Sequence, residues 1–391
     1  LSVEEFVKST NPLDMLIGME YRVTREENLA CIAKPRERNF IVIERYKFRD
    51  YYNIKTKHRY CIYILVKRGV SSYKAIAILS KKLNLKARQL SILGLKDTDA
   101  TTAQLLCVPC REDAPAIMSF KNIWIRLIGR STGCPLRRES LLGNRFIIVL
   151  DAEEADKVIQ VFNILAKMKI PAYYGYQRFG VKRPNTHLLG YYLVKLSWES
   201  YLRELFNSPY PHENIQEILC RINYSKNCDV GIVEALLREH RDTVYSHIKR
   251  QPRWLIDIQL RALQALIFNK YISRRIEEGF TLSKKISGER IDHTGRPLAI
   301  VPGIGYRIPV SGRSLAIFRD ILAELGLDEE LLLATRYLPK VRPYWRPLYT
   351  IIRDLRLEYY EDNKLLVSFS LEKGMYATTI LREVAKVPDC V

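Results

Sequence analysis

Two carboxylates, a lysine, three threonines and a glutamine stand together in Gly94-Leu95-Lys96-Asp97-Thr98-Asp99-Ala100-Thr101-Thr102-Ala103-Gln104. Lys96 beside Asp97 favours an ionised carboxylate by charge proximity. Gly94 gives the entry to the stretch a turn freedom that no other residue has. Polar loops held between apolar elements are where binding and catalytic groups tend to sit. The same residues would also make a plain polar connection, and taken alone the stretch leaves both readings open.

The flanking elements can be read from pattern. Ser71 is placed to cap a helix, and Ala75, Ile78, Leu79 and Leu83 follow at spacings of three and four. Leu105 to Val108 continues the loop as a strand. Upstream, Phe40 to Glu44 is β-prone. His58 to Arg68 alternates Cys61, Tyr63 and Leu65 with Tyr60, Ile62, Ile64 and Val66, which predicts a strand buried on both sides. Downstream, Ile147 to Leu150 predicts a strand. Asp151 and Glu154 then read as a capping box before a helix with its stripe on Val158, Phe162 and Leu165. From about 190 to 340 the pattern is largely helical, strongest around Leu260, Leu263, Leu266 and Tyr271. The end returns to a strand with Leu365, Val367, Phe369 and Leu371 on one face, a Lys373-Gly374 turn, and a helix opening near Tyr376. Alternation of strands and helices predicts an α/β (α+β) class.

Composition narrows the partner. Lys and Arg number 63 against 43 Asp and Glu, a formal net charge of +20 over 391 residues. Such a surplus favours a polyanion, because neutralised phosphates release counterions. Arg111, Lys121, Arg126, Arg130, Arg137 and Arg138 cluster with Phe120 and Trp124, either as a solvated face or as a phosphate-tracking surface. Tyr173, Tyr174, Tyr176 and Phe179 read equally as a stacking platform or a packed turn. No run approaches a membrane span, and no secretory signal pattern opens the sequence. The eight cysteines are scattered; several sit in apolar runs and read as small buried hydrophobes, which points to a cytoplasmic protein. Cys107 and Cys110 form a lone CxxC without partners at zinc spacing, so no metal site is expected.

Five ordered elements resemble the TruD family of tRNA pseudouridine synthases. Gly94, Lys96, Asp97, Ala100, Thr102 and Gln104 match its Gly-x-Lys-Asp-x-x-Ala-x-Thr-x-Gln loop. Lys34 followed by Phe40, Val42 and Glu44 is similar to its upstream strand, and Gly143, Asn144 and Phe146 to its Gly-Asn-x-Phe element. Pro171, Tyr173, Tyr174, Gly175, Gln177, Arg178, Phe179 and Gly180 match a fourth signature. Gly374, Tyr376, Ala377, Thr378, Arg382 and Glu383 match the last. Glu37-Arg38-Asn39 departs from the bacterial Pro-Glu-Asp, and Tyr174 and Tyr376 stand where phenylalanine is frequent; tyrosine keeps the stacking face.

The resemblance implies a pseudouridine-synthase core, a mixed and largely antiparallel sheet with flanking helices, interrupted by an inserted helix-rich TRUD domain. The catalytic domain would comprise residues 1–169 and 341–391, and the insertion 170–340. It implies isomerisation of uridine to pseudouridine in tRNA, at uridine 13 or also at 35. The target base would be flipped out, with tRNA as the partner and no cofactor, no membrane and no obligate protein partner. Asp97 would be the catalytic carboxylate, either attacking the ribose anomeric carbon or removing a ribose proton. Phe40, Asn144 and Tyr376 would contact the substrate, with Phe146 a further stacking candidate. Lys34 and Lys96 are alternatives for pairing with Asp97, and Gln177 and Arg178 would brace the site or link the insertion to the core. Two rival classes are a basic RNA-binding protein with a dead site, which would have lost the motif carboxylate, and a zinc deaminase, which would need a fuller His/Cys set.

Overall fold

Alternating apolar residues build the strands of one large sheet. The structure is a computed structural model that describes residues 6–25, 29–30, 38–47, 59–94, 96, 100–180, 182–210, 213, 253–333 and 338–385. Its contacts divide into two compact units, each assembled from separate stretches of chain. The sheet unit takes Glu26–Lys167, Ile351–Ala377 and Val384–Val391; the helical unit takes Leu1–Arg25, Met168–Thr350 and Thr378–Glu383.

In the sheet unit, β1 (Phe40–Tyr46), β2 (Tyr60–Arg68), β3 (Thr101–Pro109) and β4 (Ile117–Phe120) join β5 (Ile123–Ser131), β6 (Leu141–Asp151), β7 (Arg353–Glu361) and β8 (Lys364–Glu372). The eight strands lie in the order β7-β8-β6-β1-β3-β2-β5-β4. β1 and β3 run parallel, and the other neighbours antiparallel. The expected mixed, largely antiparallel sheet is what the chain forms.

Successive side chains on a strand point to opposite faces. Cys61, Tyr63, Leu65, Leu106, Val108, Ile123 and Ile125 therefore share one face, and they pack against Ala75 and Leu79 of helix α1 (Ser72–Lys82). Ser71 caps that helix, its hydroxyl accepting from the Lys74 amide at 3.2 Å. Further along the same face, Phe40, Phe146 and Phe369 form a row that meets Phe162 of helix α2 (Ala155–Leu165). Two expectations need correcting. The opposite face of β2 is only partly covered: Ile62 is buried, but Ile64 is 37% exposed. Asp151 ends β6, and α2 starts after Glu154 without a side-chain cap, so no capping box forms.

The cysteines also differ from the reading as isolated hydrophobes. The β2–β3 register pairs Tyr60 with Pro109, which brings Cys110 beside Cys61. These two form a disulfide with Cα atoms 4.7 Å apart. The CxxC is thereby split, with Cys107 a free, buried thiol.

The helical unit centres on α4 (Arg253–Glu277), which follows α3 (Thr186–Val194) and precedes α5 (Gly312–Glu324). The stripe predicted from Leu260 to Tyr271 is buried, and so are polar residues between its members. These serve loop backbone. Asn269 accepts from the Tyr174 amide at 2.7 Å and donates to the Ile17 carbonyl at 2.9 Å, and Ser273 donates to the Gly18 carbonyl at 2.8 Å. Tyr173, Tyr174, Tyr176 and Phe179 are all buried, so the aromatic segment is a packed turn rather than an exposed platform.

A buried charge hub ties this unit's ends together. Asp14, on the short helix Pro12–Leu16, is ion-paired with Arg382 at 3.0 Å and Arg22 at 3.6 Å. Ser9 and Tyr176 donate to the same carboxylate. Glu383 accepts from the amides of Val23 and Thr24, both at 3.1 Å. Among the described residues, no helix is long and apolar enough to cross a membrane.

Candidate active site

The apolar face of the sheet carries a patch of polar side chains. Antiparallel partners share a face. Asn144 on β6 pairs with Glu44 on β1 and with Leu371 on β8. Val42, two residues from Glu44, has Phe146 as its partner on one side and Thr102 of β3 on the other. Thr102 in turn faces Lys67 of β2, and Gln104 faces Leu65. Glu44, Asn144, Thr102, Gln104 and Lys67 thus come from four strands to one region.

The loop of interest lies over this patch. Lys96 Nζ stands 2.5 Å from Glu44 Oε1, with the carboxylate side chain fully buried and the lysine 12% exposed. Its amide donates to Ser72 Oγ at 3.0 Å, and its carbonyl accepts from Lys67 Nζ at 3.3 Å. Gln104 Nε2 donates to the Gly94 carbonyl at 3.3 Å. A Cβ on Gly94 would lie 3.2 Å from Lys96 Nζ and 3.6 Å from Glu44 Oε1, so the turn passes directly over the ion pair. Tyr46 completes the arrangement: its hydroxyl donates to Glu44 and accepts from the Leu105 amide at 3.2 Å. Burial pushes the Glu44 carboxyl above its usual range, and Lys96 opposes that shift.

Other polar atoms of the patch are left over. The buried oxygens Thr102 Oγ1, Gln104 Oε1 and Asn144 Oδ1 have no hydrogen-bond partner among the described residues. Buried polar atoms are nearly always satisfied, so three in one region need an explanation. Asn144 is placed by its neighbour: a Cβ on Gly143 would meet the Leu371 carbonyl at 2.0 Å, and only glycine lets β6 and β8 close here. Beyond β8, Gly374 takes a positive φ of 82° and Met375 donates to the Glu372 carbonyl at 3.2 Å. The half-buried Tyr376 follows that turn, at the end of β8 where Glu372 pairs with Gly143.

The sequence-predicted residues fall into three groups. Phe40, Asn144, Phe146, Tyr376 and Lys96 belong to the sheet unit. Phe146 sits in the aromatic row, its ring centre 6.3 Å from Phe40 and 5.5 Å from Phe369. Gln177 and Arg178 belong to the helical unit, where Gln177 accepts from Thr378 at 2.9 Å and Arg178 lies 5.8 Å from the Tyr174 ring. Asp97 and Lys34 lie outside the described residues. Sequence reading gave Glu44 no role beyond its place in a motif, and passed over Tyr46 and Lys67. Lys67 was detectable, since period-two alternation places it on the face of Cys61, Tyr63 and Leu65. The CxxC offers no metal centre, because Cys110 is bonded to Cys61; no metal-ligand cluster occurs among the described residues.

The eight-stranded mixed sheet with the motif loop over it is the fold expected of an RNA-modifying enzyme of the pseudouridine-synthase class. The family model described as tRNA pseudouridine synthase D (TruD) matches residues 16–384, and the chain belongs to that family of isomerases, which convert uridine to pseudouridine in tRNA. A protein from Pyrobaculum islandicum described as a tRNA pseudouridine synthase D is 30% identical over 96% of this chain and 97% of its own length. One from Saccharolobus solfataricus is 26% identical over 96% and 97%. The fold is also similar to a crystal structure of tRNA pseudouridine synthase D from Methanosarcina mazei. That match has a TM-score of 0.72 and 23% identity, covering 98% of this chain and 100% of the other.

Proposed function

We propose that Asp97 is the catalytic carboxylate of this enzyme, acting in the cytoplasm on uridine 13 of tRNA, or also on uridine 35. The observation that carries this reading is the anchoring of Lys96. The residue directly before Asp97 is held by its amide, its carbonyl and its ammonium group at once. Pinning both backbone and side chain fixes where the following carboxylate starts, and reactions of this kind need positioning to within about an ångström. Lys96 serves Glu44 in this reading, which leaves Lys34 as the candidate cation for Asp97.

The target uridine must leave its stack to expose the glycosidic bond. Asn144 offers a carboxamide whose donor and acceptor edges complement those of uracil, and its Oδ1 is free to accept. Phe40 and Tyr376 supply the apolar walls, with Phe146 backing Phe40. Asp97 then attacks the anomeric carbon or removes a ribose proton, the base turns, and the new bond forms through carbon. The sheet unit serves as the catalytic domain, with residues 170–340 as the insertion. Gln177 and Arg178 hold the helical unit's aromatic turn.

The test is Asp97→Asn. It should abolish pseudouridine formation while tRNA binding persists, and normal turnover by this variant would remove Asp97 from the mechanism. Mapping pseudouridine in tRNA treated with the active enzyme decides between positions 13 and 35.

A further inference from the structure

A cavity of about 650 Å3 opens in the sheet unit where β1 ends and β6 begins. Its size lies within the roughly 300–1,000 Å3 of small-ligand pockets. Lys47 and Arg137 line it with the hydroxyls of Ser131 and Thr132, the Cys134 thiol, and one carboxylate, Glu139. Neither cation is ion-paired among the described residues. The wall is stiffened from within: Lys47 donates its amide to the Ser140 carbonyl at 2.8 Å, and Ser140 Oγ donates to the Pro135 carbonyl at 3.2 Å.

Its position ties it to the patch described above. Lys47 directly follows β1, three residues beyond Glu44, and Ser140 directly precedes β6, four residues before Asn144. Three strand residues span about 10 Å, which neighbouring nucleotides of one RNA strand can bridge. Two cations sharing one lining with hydroxyl groups suit a phosphodiester and its ribose. Single-strand sites combine a cationic track with such contacts.

We propose that this cavity holds a nucleotide of the substrate RNA next to the target uridine. Lys47 and Arg137 grip its phosphodiester, while Ser131 and Thr132 face the sugar. The proposal rests on the reading of the chain as a tRNA-modifying enzyme. It makes the loop 131–140 a determinant of which strand context is accepted.

Cys134 provides a probe. A hydrogen bond from Cys107 lowers the Cys134 thiol below its ordinary range, which favours the thiolate that alkylating reagents attack. Iodoacetamide labelling of the wild-type enzyme at pH 7.5, read at Cys134 by peptide mass, should slow at least tenfold with saturating tRNA. Millimolar inorganic phosphate should leave it nearly unchanged. In parallel, K47Q/R137Q should weaken tRNA binding and flatten the slope of log Kd against log salt by about 0.7–0.9, the loss of one phosphate contact. Labelling that ignores tRNA, or an unchanged salt slope, overturns the proposal. Protection by phosphate equal to that by tRNA also overturns it, in favour of a free-anion site. Protection by tRNA without any pseudouridine formed would leave the pocket standing and bring down the functional reading instead.

Discussion

Replacing Glu44 by glutamine tests whether the Gly94–Gln104 loop is anchored as the structure indicates. The Glu44 side chain is fully buried and the lysine 12% exposed, at 2.5 Å. Burial raises the carboxyl despite the adjacent ammonium, so desolvation outweighs attraction and the pair is no source of net stability. Removing one partner is a different matter, because it strands the other charge; such losses run to about 3–5 kcal/mol. Glutamine still offers an acceptor to Lys96 and Tyr46, which sets the expectation near the low end, about 3 kcal/mol. At about 2–4 °C per kcal/mol for a unit of 150–250 residues, Tm should fall by about 6–12 °C. Calorimetry and single-turnover pseudouridine formation, run on the same preparations, read both consequences. E44L/K96M should recover most of the lost Tm, since no buried charge is left alone, yet should not recover the rate. A Tm shift under about 2 °C for Glu44→Gln, or a double variant no more stable than the single, would refute the anchoring argument.

Two further substitutions address the helical unit. His187 is buried, neither ring nitrogen has a hydrogen-bond partner among the described residues, and burial lowers it from 6.5 to about 4. Below pH 6.5 the unfolded chain takes up that proton while the folded one does not, so stability falls as pH drops from 6.5 towards 4, by about 3 kcal/mol. His187→Leu should flatten the Tm–pH curve across that window; parallel curves would show that His187 is not held neutral. Arg382→Met leaves Asp14 with Arg22 at 3.6 Å as its remaining cation and should cost about 3–5 kcal/mol. Adding Asp14→Asn should restore part of that loss in thermal unfolding, and a double variant no better than Arg382→Met alone would show that the stranded carboxylate is not the cause.

Most of the sheet could be read from alternation, because one face is buried and period two records it. What alternation does not record is adjacency between strands. Glu44 and Lys96 are far apart in sequence and meet because β1 lies beside β3, whose Gln104 holds the Gly94 turn, so the cation nearest to Asp97 in sequence pairs with another carboxylate. The cysteines illustrate the same limit. The CxxC spacing directed attention to Cys107 with Cys110, whereas antiparallel register joins Cys110 to Cys61. The aromatic segment was undecided because its burial is set by α4, whose Asn269 binds the Tyr174 backbone. Asp14 gave no signal, since a single carboxylate in a mixed stretch looks like any surface acid until its guanidinium partners arrive from residues 22 and 382.

That hub has a consequence for how the protein is made. Asp14 leaves the ribosome 368 residues ahead of Arg382 (382 − 14). At about 5–20 residues per second, the buried carboxylate waits roughly 20–70 s for its second guanidinium. Over that interval the segment from Val7 to Thr24 cannot be sealed in place, because Glu383, which receives the Val23 and Thr24 amides, is also unmade. The helical unit therefore closes after the sheet strands have emerged, although the segment from Val7 to Thr24 precedes them in the chain. Contacts of such long sequence separation form slowly. A nascent chain halted before Arg382 would be a substrate for chaperones and proteases rather than a partly active enzyme.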